Sequence, residues 1–181
     1  MDDLASTTFD ATLIPLAQVV PGEVERLLDA AFGPDRHGRT AYAIREGTET
    51  LPALSFAALD ESERLAGTIQ AWPVALTESA GTRHPLIMVG PVAIMPGHQN
   101  QGYGRALMAA QARALAEIAS ERGGSLPQVL IGDAPYYGRF GFLEAPRGWQ
   151  CPGPWQPERL LVRGADSTAL PQEGMLGPWR G

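Results

Sequence analysis

The sequence predicts a mixed α+β fold, with a mostly antiparallel central sheet flanked by helices. Three observations predict it. Segments 54–59, 65–76 and 86–94 read as strands joined by short polar turns, the pattern of an antiparallel meander. Residues 104–122 follow the third strand directly and show helical periodicity. A short segment apolar on both faces, 128–132, then brings the chain back as a parallel or splayed central strand. The chain of 181 residues is long enough for one domain with a sizeable core, spanning 1–181, and short for two.

In chain order, residues 11–16 read as a first strand, which Pro15 makes short or places at an edge. Residues 22–32 read as an amphipathic helix. Val24, Leu27, Leu28 and Ala31 share one face, and Gly33-Pro34 ends it. Residues 40–46 suggest a second short helix. Asp60-Glu61-Ser62-Glu63 is a turn, and Trp72-Pro73 interrupts the following strand, implying a bulge or an edge. Residues 77–82, with Gly81, form the next turn. The long helix carries Leu107, Ala110, Ala114, Leu115 and Ile118 at helical spacing, with Arg105, Gln111, Arg113 and Glu117 elsewhere. Gly123-Gly124 stops it. Asp133 is a good N-cap for a short helix over 134–140, with Pro135 in its first turn and Gly141 at its end. A strand begins at 141–143. Residues 146–157, rich in Pro, Gly and Trp, read as a loop, and 159–162 as a last strand. The tail after Gly164 carries weak signals, with Trp179 expected to pack back on the domain.

Composition narrows the functional classes. Hydrophobic residues make up 44% and charged residues 19%, ordinary for a soluble globular protein. The net charge of -6 argues against a nucleic-acid-binding surface and tolerates a cationic substrate. Cys151 is the single cysteine, so no internal disulfide can form, which fits a reducing cytosol. It sits in a Pro/Gly-rich segment with no histidine nearby, a poor setting for a nucleophile. No signal-type core follows the acidic Met1-Asp2-Asp3 and no apolar run approaches a membrane span, so the expected location is cytoplasmic. His37, His84 and His98 lack ligand spacing, so no metal is expected.

The chemistry-bearing stretch lies between the third meander strand and the long helix. Val92-Ala93-Ile94 ends the strand, and Gln99-Asn100-Gln101-Gly102-Tyr103-Gly104-Arg105 turns into the helix. Glycines permit positive φ and close approach of another group to the backbone. The first N–H groups of a helix lack intrahelical acceptors and carry the positive end of its dipole. Together these make a cradle for a phosphate or pyrophosphate. Arg105 adds a cation where the dipole alone disfavours one, which an anionic ligand would explain. The alternatives are that the glycines serve packing only and that Arg105 is a solvated charge.

Gln99-Asn100-Gln101-Gly102-Tyr103-Gly104 resembles the Gln/Arg-x-x-Gly-x-Gly/Ala signature of the GNAT superfamily of acyl-CoA N-acyltransferases, in the expected place between strand and helix. Tyr136-Tyr137-Gly138-Arg139-Phe140-Gly141-Phe142 resembles the family's Tyr-x-x-x-Gly-Phe segment. The two in order are far more specific than either alone. The Tyr-Tyr doublet and the later Pro-Gly-Pro look most like the bacterial subgroup of predicted acetyltransferases typified by YhbS. The resemblance covers residues 86–142; the chain before Leu51 matches in pattern only.

What the resemblance implies is an acetyl-CoA-dependent N-acetyltransferase working by direct attack in a ternary complex, without metal. N–H groups from Gln101 to Arg105 would hold the coenzyme A pyrophosphate. The backbone edge of Val92-Ala93-Ile94 would pair with the pantetheine arm, and an N–H near Ile94 would polarise the acetyl carbonyl. Tyr137 matches the tyrosine that protonates the departing thiolate, as a phenol can because it stays protonated near neutral pH. Tyr136 competes for that role; on a helix it points about 100° away, so one of the two should face the sulfur. The N-terminal helices and the loop around Trp149 and Trp155 would shape the acceptor pocket. The acceptor would be a small-molecule or protein amine, and the protein a monomer or homodimer.

The general base stays open. Strand 86–94 contains no carboxylate; Glu61, Glu63 and Glu78 lie in turns, and His84 precedes the strand. A water relay to backbone groups serves equally. Two other classes fit the sequence less well. A non-catalytic acyl-CoA-binding module on the same fold is argued against by Tyr137 and left room by the missing base. A dinucleotide-binding oxidoreductase would need a third glycine where Leu107 stands and a glycine loop at the first strand of a βαβ unit, and has neither.

Overall fold

The computed structural model describes residues 11–164 and 170–180; the acidic Met1-Asp2-Asp3 and part of the tail after Gly164 lie outside them. Among the described residues, nine strands belong to one sheet, with four α-helices around it. The strands are β1 (Thr12–Pro15), β2 (Phe56–Leu59), β3 (Leu65–Thr77), β4 (Arg83–Ile94), β5 (Gln128–Ile131), β6 (Leu143–Glu144), β7 (Gly148–Gln150), β8 (Leu160–Arg163) and β9 (Glu173–Pro178). The helices are α1 (Pro21–Phe32), α2 (Thr40–Ile44), α3 (Tyr103–Arg122) and α4 (Ala134–Gly138). No helix among the described residues is long and apolar enough to cross a membrane.

The meander is as expected. β1 lies at the edge beside β2, and β2, β3 and β4 run antiparallel in sequence order. β5 joins β4 in parallel and pairs β8 on its other side. α1 buries Val24, Leu27 and Leu28, while Ala31 is half-buried. Full burial of each leucine is worth roughly 1.5–3 kcal/mol. α3 buries Tyr103, Leu107, Met108, Gln111 and Leu115.

Four expectations need correction. Pro73 sits inside the continuous β3, and the bulge falls between Ile69 and Ala71 instead. β3 tolerates the proline because its outer edge changes partner there. β2 pairs it through Ile69 and β9 from Val74. Pro73 opposes Ile87, whose N–H turns away from β3 to the Pro127 carbonyl at 2.9 Å. The missing N–H of Pro73 therefore points to the gap between β2 and β9, where no ladder bond is lost. Residues 146–157 are not wholly loop, since β7 pairs β9 in parallel. β8 is not the last strand; β9 closes on the open edge of β3. Trp179 does pack back, donating its N–H to the Pro73 carbonyl at 3.2 Å beneath the Arg83 guanidinium. Gln111, assigned to the polar face, is fully buried and donates to the Leu54 carbonyl at 2.8 Å.

Candidate active site

The sheet opens where β4 and β5 part. They pair only at Ile87 with Gln128 and Met88 with Val129. Beyond Met88, β4 carries a bulge: Gly90 and Pro91 stand against the single Gln70 of β3, between the pairs Ala71–Val89 and Ile69–Val92. The bulge bends β4 away, while β5 stays registered on β8. Among the described residues, the backbone edge of β4 from Val89 to Ile94 is thereby left without a strand on the β5 side.

Two cavities flank this opening. The larger, about 640 Å³, is lined by residues 88–92 of β4 and 130–133 of β5 and its turn. Tyr136 and Tyr137, residues 38–42, Phe32, Arg36, Arg45, Pro154 and Arg159 complete it. The smaller, about 390 Å³, lies over the glycine loop. Its walls are Ile94, His98, Gln99, Asn100, residues 102–105, Tyr136, Arg139 and Phe140. Tyr136 lines both.

The loop geometry suits an anion. Asn100 and Gly102 both have positive φ, at 60° and 101°. Such residues turn successive N–H groups toward one side. Gly102 is the N-cap of α3, and the first intrahelical bond runs from Ala106 N–H to the Gly102 carbonyl. The N–H groups of the preceding turn, Gly104 and Arg105 among them, thus precede the helical ladder. A Cβ on Gly104 would stand 2.9 Å from the Tyr136 hydroxyl, so a larger residue there would push that hydroxyl aside. Among the described residues, Arg105 and Arg139 are the charged side chains on this cavity, and no carboxylate lines it.

Asp60, in the β2–β3 turn, anchors the loop. It accepts from the N–H groups of Ser62 at 2.8 Å and Arg64 at 3.0 Å. Its other oxygen lies 3.2 Å from His98 Nε2. The Arg64 N–H foremost holds the Asp60 carboxyl below its ordinary value. His98 in turn meets Tyr103, 5% exposed, edge-on at 5.5 Å.

α4 is capped as expected, the Asp133 carboxylate accepting from the Tyr136 N–H at 3.3 Å. The two tyrosine rings stand perpendicular, 4.9 Å apart. Both reach the larger cavity, so helical phase does not exclude either from it. Tyr137 is wedged against Gly132, where a Cβ would come within 2.4 Å of its ring, and meets Phe142 edge-on. Burial, foremost, pushes its phenol up to about 12.

The structure sorts the expected site residues. Gln99, Asn100, Gly102, Tyr103, Gly104, Arg105 and Ile94 line the smaller cavity, and Val92 and Tyr137 the larger. Ala93 faces away, packed with α1. The Gln101 side chain folds back to the Gly97 carbonyl at 3.2 Å. Glu61, Glu63, Glu78 and His84 line neither cavity; His84, at the start of β4, pairs at 2.7 Å with Glu78 of the preceding turn. Trp149, 1% exposed, belongs to the core and the half-buried Trp155 packs against it, so Pro154 alone represents that loop on the cavity. Cys151 is buried, its thiol pushed up to about 11 by desolvation, and lines neither cavity.

Sequence reasoning missed the arginines. Arg36, 2% exposed, is held by Asp29 at 2.8 Å and by Glu25 and Tyr42. Burial alone would lower its pKa, but those hydrogen bonds outweigh it and raise it. Arg45, 5% exposed, lies over the Tyr42 and Trp72 rings at 4.2 and 4.3 Å and donates to the Gly90 carbonyl at 3.1 Å. Trp72 Nε1 donates to the same carbonyl at 2.9 Å. No motif marks this cluster, because its members come from α2, the residue after it, β3 and β4.

Known proteins agree with this architecture. No curated protein matches the sequence. The chain is similar to a solved GNAT-family N-acetyltransferase, YhbS of Escherichia coli, crystallised with CoA: 23% identity, 93% of this chain and 89% of that one covered, TM-score 0.67. It is also similar to a GNAT-family acetyltransferase of Brucella melitensis, crystallised with acetyl-CoA: 24% identity, coverage 87% and 97%, TM-score 0.51. A Pyrococcus horikoshii protein shares the fold at 14% identity, with coverage 87% and 99% and TM-score 0.55. The family profile described as an acetyltransferase (GNAT) domain matches residues 22–145, more than half of the chain. The chain therefore belongs to the GNAT acetyltransferase family.

Proposed function

We propose that this protein transfers an acetyl group from acetyl-CoA to a primary amine, by direct attack while both are bound. The observation that carries the reading is the parting of β4 from β5 beside the glycine-started α3, with Tyr136 shared by the two cavities. CoA and acetyl-CoA are bound by two structural neighbours, which supports the same co-substrate here. Acetyl-CoA supplies an activated thioester and a good leaving group.

The N–H groups from Gln101 to Arg105, with Arg105 and Arg139 beside them, hold the pyrophosphate. The unpaired edge Val92-Ala93-Ile94 receives the pantetheine as an added strand. An N–H near Ile94 polarises the carbonyl. As the amine nitrogen bonds to the acetyl carbon and the carbon–sulfur bond breaks, Tyr137 donates its proton to the sulfur, and the proton shed by the nitrogen passes through solvent to restore the phenol. Its packing against Gly132 and Phe142 fixes the ring in the larger cavity.

Thiol release from acetyl-CoA, screened across primary amines, tests the reading. A second reading, an acyl-CoA-binding module without catalysis, draws on the absence of Glu61, Glu63, Glu78 and His84 from both cavities. Tight acetyl-CoA binding with no thiol release above background for any amine would favour it.

Two predictions arise here. With the Tyr137 phenol at about 12, its neutral, proton-donating form dominates through the whole working range. The kcat profile then rises as the amine loses its proton and stays flat to about pH 10. A descending limb centred well below that would assign the proton to another group. Asp60→Ala removes the anchor of His98 and loosens the glycine loop from below. Acetyl-CoA affinity should weaken about threefold to tenfold, the worth of one hydrogen bond. Calorimetry on the variant reads this, and unchanged affinity would remove Asp60 from the account.

A further inference from the structure

The charge of the larger cavity is opposite in sign to that of the chain. The protein carries -6 overall, which tolerates a cationic acceptor. The charged side chains on the cavity are Arg36, Arg39, Arg45, Arg159 and Asp133. Glu25 and Asp29, which do not line the cavity, offset Arg36. Asp133 is engaged as the α4 cap. Arg39 is exposed and donates to the Phe32 carbonyl. Arg45 is different: it is 5% exposed, and no carboxylate lies within 4 Å of it among the described residues.

A buried guanidinium without a counter-ion is costly. Its two aromatic neighbours and the Gly90 carbonyl offset part of that cost. Burial still pulls its pKa down to about 10, against the opposing pull of Tyr42 and Glu25. Arginine offers five N–H donors in a planar fork that matches a carboxylate, and Arg45 spends few of them inside the protein. The walls around it are mostly apolar, through Met88, Val89, Leu130 and Ile131.

We infer that the amine acceptor bears a carboxylate on an apolar body, and that Arg45 receives that carboxylate in the larger cavity. This rests on the acetyl-transfer reading of the same site. The placement also helps the chemistry. An ammonium brought among arginines loses its proton more readily than in water. The neutral amine thus forms by releasing its proton to solvent, without a protein carboxylate as base, in keeping with Asp133 being the one carboxylate on the cavity among the described residues. Polyamines and aminoglycosides, which carry several positive charges and no carboxylate, would meet four arginines there and the single carboxylate of Asp133.

The test uses ligands that differ only in the charge of one end. N-acetyl-L-leucine and N-acetyl-L-leucinamide, which resemble products, are titrated against the protein with and without CoA. L-leucine, L-leucinamide, spermidine and kanamycin are compared as acceptors in thiol release. The acid should bind about tenfold more tightly than the amide, the worth of one charge-assisted pair. Arg45→Met should bring the two within about twofold, and Arg45→Lys should retain part of the preference. Unchanged CoA affinity reports that each variant is folded. Equal affinities in the wild-type protein would overturn the inference, whether or not the methionine variant folds. So would a preference that survives Arg45→Met, no binding of either ligand at about 10 mM, or faster acetylation of spermidine or kanamycin than of L-leucine. Failure of the underlying reading shows separately, as wild-type protein that binds no CoA; the ligand pair titrated without CoA then still decides the role of Arg45.

Discussion

Gly102→Glu should weaken acetyl-CoA binding by about a hundredfold or more, the combined worth of charge repulsion and lost N–H alignment. Gly102 caps α3 at φ 101° and ψ -3°, left-handed backbone that glutamate adopts only with strain. The loop would relax from that conformation and scatter the N–H groups it presents. The new carboxylate would also stand where the phosphates are to be held. Gly102→Ala separates the two effects, keeping the strain and omitting the charge, and should cost about tenfold at most. Calorimetry reads both. Full affinity in a folded glutamate variant would remove the loop from the binding site.

Tyr137→Phe should lower kcat by about a hundredfold, the usual worth of a positioned general acid, and change the KM for acetyl-CoA by no more than about threefold. Phenylalanine keeps the wedge against Gly132 and the edge contact with Phe142, so the loss isolates the hydroxyl. Tyr136→Phe should behave in the opposite way. Its hydroxyl stands against Gly104 at the start of α3, on the phosphate side, so its loss should weaken binding more than turnover. If the Tyr136 variant lost turnover and the Tyr137 variant did not, the two roles would be exchanged.

How much of this was legible in the sequence differs by element. The strand, loop and helix around Gly102 could be read because each part has a local cause: an apolar run, residues that tolerate positive φ, and helical periodicity. The α4 cap was likewise local, Asp133 serving an N–H three residues ahead. β9 was not legible. Its Gly174, Gly177 and Pro178 have no strand preference, and the vacant edge of β3 beyond Pro73 recruits them. Gln111 was misread by residue type, although its spacing of four from Leu107 and from Leu115 places it on the buried face. The Arg45 cluster had no local signal, since Tyr42, Trp72 and Gly90 meet only in the folded chain. Net charge is silent on the cavity for the same reason: it sums the whole surface, while the cavity reports only the residues that line it.

The most direct test of the central claim is calorimetric titration of the purified protein with acetyl-CoA and, separately, with NAD. The account predicts binding of acetyl-CoA at micromolar concentration and none of NAD. Binding of neither would make the glycine loop only the start of a helix, and would contradict the acetyl-transfer reading.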